Sequence, residues 1–538
     1  MNFLRFGERQ MGEKINKFTE KHQGLTAGLF LGLTVLICFL LTFKFEGITL
    51  RNLEISSAEN DELIYYYETA GVVDHGLPRG FFGYTEITAR TGPFGAWSPV
   101  LLINFCILGK LFGWSLTRAV FYNAFMLILA VFLFGVFARP DRKQTILLAV
   151  FLASYTFLMY GVLSIVPEIT CYSYAIVTVG LIYSCLKDNR SYKIVLMFVT
   201  AVLLTLMRPY YAGLLIPAAY FLYKRSGKKS LFCSVPVSLA TFYAFFFIGE
   251  NFCAGNPMSG SFSGFIVKVI HNKDNYYLCS QYTVALLSGI GQFMLRLAKG
   301  LYSMFQQLVV FFTTRVWGRN YFMFFYLFLL LFVLVIRTDR RTETDRFIRR
   351  AFWLVYYFLM IIAVALYFTG WAADRHLAEF VVMGIVVTAM EAGEDKNNKW
   401  LAVLVEAGLI FSVIMVPNRE REYVSEDFIV QVEEAKETLA KEMPLNESDG
   451  LSWDNTVLWV YEDTVDGEKV IVPWRALYAV PSGYAFNLVF RDTWFDEYEN
   501  LSSKYLAAAS GSDTELRFAE RGAEKIADYC GVVIYRLR

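Results

Sequence analysis

Apolar runs of about 17–22 residues recur through the first 417 positions of this 538-residue chain. As helix, each is long enough to cross a hydrocarbon layer of about 30 Å. They fall at 26–44, 118–137, 144–165, 170–186, 193–207, 210–223, 230–249, 321–336, 351–369, 377–391 and 400–416, about eleven transmembrane helices in all. Hydrophobic residues make up 56% of the chain and charged residues 18%, which excludes both a soluble globular protein and a disordered one. The formal net charge of +1 gives no reason to expect a nucleic-acid partner. The expected class is a mainly α, polytopic membrane protein.

Charge is distributed unevenly. Residues 418–538 carry 13 basic and 24 acidic side chains, against 37 and 25 in residues 1–417. The short basic connectors at 139–143, 187–193, 224–229 and 337–350 alternate consistently as cytoplasmic, and so does the basic segment 1–25. An odd number of spans then places the acidic tail outside the membrane. The first span lacks a small-residue cleavage site and reads as a retained signal anchor. The expected organisation is a cytoplasmic segment 1–25, a membrane domain 26–417 with long external loops at 45–117 and 250–320, and an extracytoplasmic α/β domain 418–538. The setting that fits is a bacterial plasma membrane.

The tail opens with a charged helix from Glu426 to Lys441, continues with β-rich runs such as 456–461, and ends on a helix near 514–529 followed by a strand at 531–535. In the second loop, the amphipathic run 291–299 suits either a helix on the membrane surface or part of a further hairpin of spans. Cys253 and Cys279 share that loop, where an oxidising exterior permits a disulfide. The eight cysteines and four histidines show no zinc-binding spacing. His271 reads as solvated, and His75 as part of a helix end.

The first loop carries the chemistry-bearing pattern. Ser56 with Glu59 forms a capping box, and Gly76 with Pro78 supplies a stop, so the spacing predicts a helix of about five turns with Asp61 and Glu62 near its start. Asp61 then sits one turn before Tyr65. Acids at a helix start are also what the helix dipole favours for stability alone. The apolar stretch after Pro99 is more economically a membrane-surface helix than a span, since a crossing there would invert every later basic connector.

Asp61-Glu62, the run Trp97-Ser98-Pro99-Val100-Leu101 and the step Leu111-Phe112-Gly113 together resemble the GT-C class of membrane glycosyltransferases. The likeness is to protein O-mannosyltransferases and aminoarabinose transferases, although the doubled proline of the closest of these families is absent. The resemblance implies transfer of a sugar from a polyprenyl-phosphate or polyprenyl-diphosphate carrier to a glycan, lipid or protein acceptor at the outer membrane face. Asp61, with Glu62 beside it, is the candidate general base for an inverting displacement. Arg208, and Arg375 with His376, fall at predicted outer span ends, where cations would neutralise the departing lipid phosphate; charged residues at such ends also snorkel without function. Glu168 occupies an outer turn, where it could position the acceptor, share a divalent cation (Mg or Mn) with Asp61 or Glu62, or simply be exposed. Trp97 and Trp371 are candidates for stacking on a sugar. A transporter or flippase of lipid-linked glycans is the main rival, disfavoured because the spans read as nearly free of acids. A membrane-anchored binding or sensory protein would leave the elaborate first loop unexplained.

Overall fold

The computed structural model describes residues 22–50, 61–76, 82–83, 98–252, 290–315, 318–367, 372–394, 399–416, 424–445, 455–489 and 503–537. Ser56, Glu59, Trp97, Cys253, His271, Cys279 and Trp371 lie outside these residues, as does the side chain of Asp61.

From the amino end, α1 (Gln23–Phe45) leads to α2 (Asp61–His75) and a two-residue strand, β1 (Phe82–Gly83). A 3-10 turn (Pro99–Leu102) opens α3 (Ile103–Phe112), followed by α4 (Leu116–Ala138), α5 (Arg142–Ser154), α6 (Thr156–Val162), α7 (Glu168–Lys187) and α8 (Ser191–Met207). A second 3-10 turn (Pro209–Leu214) opens α9 (Leu215–Ser226). Then come α10 (Leu231–Phe252), α11 (Ile290–Thr313), α12 (Arg319–Ile336), α13 (Thr344–Tyr367), α14 (Ala372–Glu394) and α15 (Lys399–Met415). The tail holds α16 (Glu426–Glu442), β2 (Thr456–Val460), β3 (Glu462–Val465), β4 (Glu468–Ile471), β5 (Ala485–Val489), β6 (Tyr505–Ala509), α17 (Asp513–Glu520), β7 (Glu524–Tyr529) and β8 (Val532–Arg536).

Helix covers most of the described positions of the expected apolar runs, and the chain is an integral membrane protein. Among the described residues, seven helices are long and apolar enough to cross a membrane, or up to eight if a bent pair counts as one span. That pair, α5 and α6, replaces the continuous helix expected over 144–165. It bends by 67° at Tyr155, whose ψ of 72° leaves the helical region. The helix α3 follows a proline turn capped by Ser98, whose hydroxyl accepts from Val100 N at 3.3 Å. From Pro99 to Phe112 the run is too short to cross, and Ile107, Leu111 and Phe112 stay exposed, as suits a helix lying along the membrane surface. Segment 291–299 starts α11, a 24-residue helix that packs against α12 and α13, with Phe311 stacked on Phe322 at 4.7 Å.

Two features set the bundle's packing. The helices α1 and α4 cross where Gly28 meets Gly135; a Cβ on Gly135 would fall 2.3 Å from Gly28 N, so this approach requires glycine. Gly135→Leu is expected to force the helices apart and lower stability by about 1–3 kcal/mol or more. A thermal midpoint in detergent checks this, and an unchanged midpoint would show that the crossing yields without cost. The second feature is α14. Leu377, Val381, Val382, Met383, Ile385 and Val386 are all buried, as expected of a helix apolar on every face. This helix runs through the interior and carries the charged groups described below.

The tail folds as a six-stranded sheet of order β1-β5-β2-β6-β8-β7, with β3 and β4 as a separate hairpin. Strands β5, β2 and β6 run parallel and are buried on both faces, whereas β8 and β7 add antiparallel. The helix expected near 514–529 is shorter than its pattern suggested. It ends at Glu520, Gly522 turns the chain with φ +81°, and 524–529 pairs as β7 with β8. The sheet also crosses the expected boundary at 417/418, because β1 comes from the first loop and pairs with β5 (Phe82 opposite Phe486).

Candidate active site

The site is assembled at the starts of α2, α7 and α14 and the end of α8. Glu62, fully buried on α2, accepts a hydrogen bond from Ile165 N at 2.9 Å. Asn123 of α4 donates to Ser164 O at 2.6 Å. The turn Ser164–Pro167 is thereby pinned from two sides, and it delivers Glu168 as the first residue of α7, where a carboxylate suits the helix dipole. Tyr65 is buried one turn along α2 from Asp61.

Arg208 caps α8 in an extended conformation, φ −149° and ψ 120°, because the following Pro209 excludes the helical region for it. The side chain therefore leaves the helix and enters the bundle, where none of it is exposed. Its Nη2 lies 2.8 Å from Glu168 Oε1. Nη1 donates to Tyr210 OH at 2.9 Å, lies 2.7 Å from His376 Nδ1 and forms an ion pair with Glu379 Oε1. Tyr210 and Tyr211 both donate to Glu379 Oε2, the former at 2.9 Å. Arg375 completes the cluster with Nε 3.2 Å from Glu168 Oε1, and 18% of its side chain stays exposed. Two guanidiniums thus face two carboxylates, which is what makes so much buried charge tolerable.

The structure brings Glu62, Glu168, Arg208, Arg375 and His376 to one end of the bundle, and Asp61 starts the helix that carries Glu62. Trp97 lies outside the described residues. Sequence reasoning missed Glu379, fully buried two turns into α14, and the hydroxyls of Tyr210 and Tyr211. The signal was present, since Glu379 is an acid inside an apolar run and four residues after Arg375, one helical turn away. The reading of the spans as nearly free of acids needs correcting accordingly. At the other end of α14, Glu391 is also buried, paired with Arg349 at 2.6 Å and Arg350 at 2.7 Å.

The tail domain grips α2. Tyr67 OH lies 2.8 Å from Leu477 O and 2.6 Å from Val480 O. Tyr66 meets Tyr478 edge-on at 5.3 Å and stacks on Trp114 at 5.9 Å. The helix bearing the acidic pair is therefore held between the tail and the start of α4. Among the described residues, no group of three or more His, Cys, Asp or Glu side chains is placed to hold a metal ion. Glu168 Oε2 is buried with no hydrogen-bond partner.

No protein-family model matches this chain, and no curated protein matches it in sequence. Solved structures do. The archaeal oligosaccharyltransferase AglB from Archaeoglobus fulgidus, in complex with an inhibitory peptide and a dolichol-phosphate, superposes with a TM-score of 0.52 and 12% identity, over 94% of this chain and 73% of that one. ArnT from Cupriavidus metallidurans, bound to undecaprenyl phosphate, gives a TM-score of 0.40 and 12% identity over 95% and 97% of the two chains. With the AglB likeness, the bundle, the surface helix and the tail domain define the class: an integral membrane protein with the GT-C fold.

Proposed function

We propose that this protein is an inverting membrane glycosyltransferase that moves a sugar from a polyprenyl-phosphate or polyprenyl-diphosphate carrier to a hydroxyl of a glycan, lipid or protein acceptor. The carrying observation is the convergence of Glu62, on the helix that Asp61 starts, with the Arg375–Glu168–Arg208–Glu379 cluster at one end of a GT-C bundle. The dolichol-phosphate in complex with AglB supports a donor of that class. This end, with the tail above it, is the extracytoplasmic one in the topology that the basic connectors favour.

In one displacement, the acceptor oxygen bonds to the anomeric carbon as the bond from that carbon to the phosphate oxygen breaks. The bonding pair leaves with the phosphate, and the acceptor proton passes to Asp61. Arg375, the more exposed of the two cations, meets the phosphate. Arg208 is enclosed and holds Glu168 and Glu379 in place. A Mg or Mn ion fits poorly at Glu168, because Glu168 Oε1 already faces two guanidiniums that would repel a dication.

Arg375→Ala is expected to raise KM for a labelled polyprenyl-phosphate sugar by about tenfold or more, the scale of a lost charge-assisted contact of roughly 1.5–3 kcal/mol, with the acceptor KM little changed. Equal changes in both would remove Arg375 from the donor site. Transport or lipid flipping, the other reading of such a bundle, predicts movement of lipid without glycosyl transfer, so the same assay separates the two.

A further inference from the structure

The residue immediately before Arg375 ties three helices together. The helix α12 begins after Gly318, whose φ of +88° breaks the chain there and which has no side chain to cap the helix. The cap comes from α14 instead. Asp374 Oδ1 accepts hydrogen bonds from Asn320 N at 3.0 Å and Tyr321 N at 3.2 Å, so a carboxylate from one helix satisfies first-turn amides of another. Asn320 answers by donating Nδ2 to the Asp374 carbonyl at 2.9 Å, and its Oδ1 accepts from Tyr155 OH at 2.6 Å. Tyr155 is the residue at the 67° bend between α5 and α6. Arg319 adds a further tie, lying over the Phe157 ring of α6 at 5.0 Å.

The bend, the start of α12 and the start of α14 are thus joined by a chain of hydrogen bonds ending one residue from Arg375. Nothing in the sequence marks Asp374 for this task, since its partners lie 54 and 53 positions away. We propose that Asp374 is a positioning residue for donor binding: by capping α12 it fixes where α14 begins, and so where Arg375 presents its guanidinium beside Glu168. The inference deepens the proposed function and rests on its assignment of Arg375 to the donor phosphate. It matters because a misplacement of about 1 Å in a binding group can cost a transfer reaction about a hundredfold.

The test uses the full-length protein in nanodiscs with a labelled polyprenyl-phosphate sugar, comparing Asp374→Ala, Asp374→Asn and Arg375→Ala. Asp374→Ala is expected to raise the donor KM about tenfold, leaving the acceptor KM and the rate at saturating donor within about twofold. Asp374→Asn keeps an oxygen acceptor for both amides and is expected to restore donor use to near the parent value. Parallel shifts in donor and acceptor KM, a fall in rate at unchanged donor KM, or an asparagine variant as impaired as the alanine one would each overturn the proposal. If Arg375→Ala itself leaves donor use unchanged, the donor-site reading fails and this inference with it. If Arg375→Ala impairs donor use and Asp374→Ala does not, the inference alone fails. Should Asp374→Ala not accumulate as folded protein, Tyr155→Phe replaces it, removing the far end of the same chain. A rise of about threefold in donor KM then supports the proposal, and an unchanged value overturns it.

Discussion

Asp61→Asn is expected to lower glycosyl transfer by about 10²–10⁴-fold, the usual contribution of a general base, while donor binding and yield of folded protein stay near normal. The amide is nearly isosteric with the carboxylate but cannot take up the acceptor proton. The surrounding frame depends on other groups, because Glu62 holds the Ile165 amide and the tail grips α2 through Tyr66 and Tyr67. The variant should therefore separate chemistry from folding. Single-turnover transfer with a labelled lipid-linked sugar, alongside a direct donor-binding measurement, reads both. Full activity in the variant would remove Asp61 as the base and leave the acidic pair as a helix start stabilised by its dipole.

Arg208→Ala should act on stability before it acts on substrate. The guanidinium is fully enclosed and faces Glu168, Glu379, His376 and Tyr210, so its loss leaves two buried carboxylates short of a counter-charge. Removing one partner from a buried ion pair typically costs about 3–5 kcal/mol, a large share of the roughly 5–15 kcal/mol that holds a domain folded. The expected result is a strongly lowered thermal midpoint in detergent or nanodiscs, with poor recovery of monodisperse protein. Adding Glu379→Gln to Arg208→Ala should restore part of the loss, because it removes one of the stranded charges. A variant with a normal midpoint and a selective donor defect would instead assign Arg208 to the phosphate directly.

The difference between these two arginines shows where sequence reading stops. Both fall at span ends and look equivalent as basic residues beside a membrane surface. Pro209 is what turns Arg208 inward, and the pre-proline restriction can be read from the sequence. Whether the side chain then meets lipid phosphate or protein carboxylate depends on Glu168 and Glu379, 40 and 171 positions away. Glu379 was visible as an acid within an apolar run, yet its partners were not. Likewise, residues 524–529 fall within the helix expected near 514–529, and only the turn at Gly522 and the pairing with β8 select a strand there.

By itself, the sequence determined that the chain crosses a membrane many times, that an acidic helix follows the first span, and that a small α/β unit closes the chain. Those properties follow from local quantities: the transfer free energy of an apolar run, the helix-forming pattern of an acidic segment and the β-rich composition of a strand, each set by a few consecutive residues. Only the tertiary structure decided that β1 leaves the first loop to join the tail sheet, that Arg208 is enclosed while Arg375 keeps an exposed edge, and that Asp374 caps a helix other than its own. Each of these requires partners from distant segments to arrive together, and burial then obliges every charged or hydrogen-bonding group to find a neighbour.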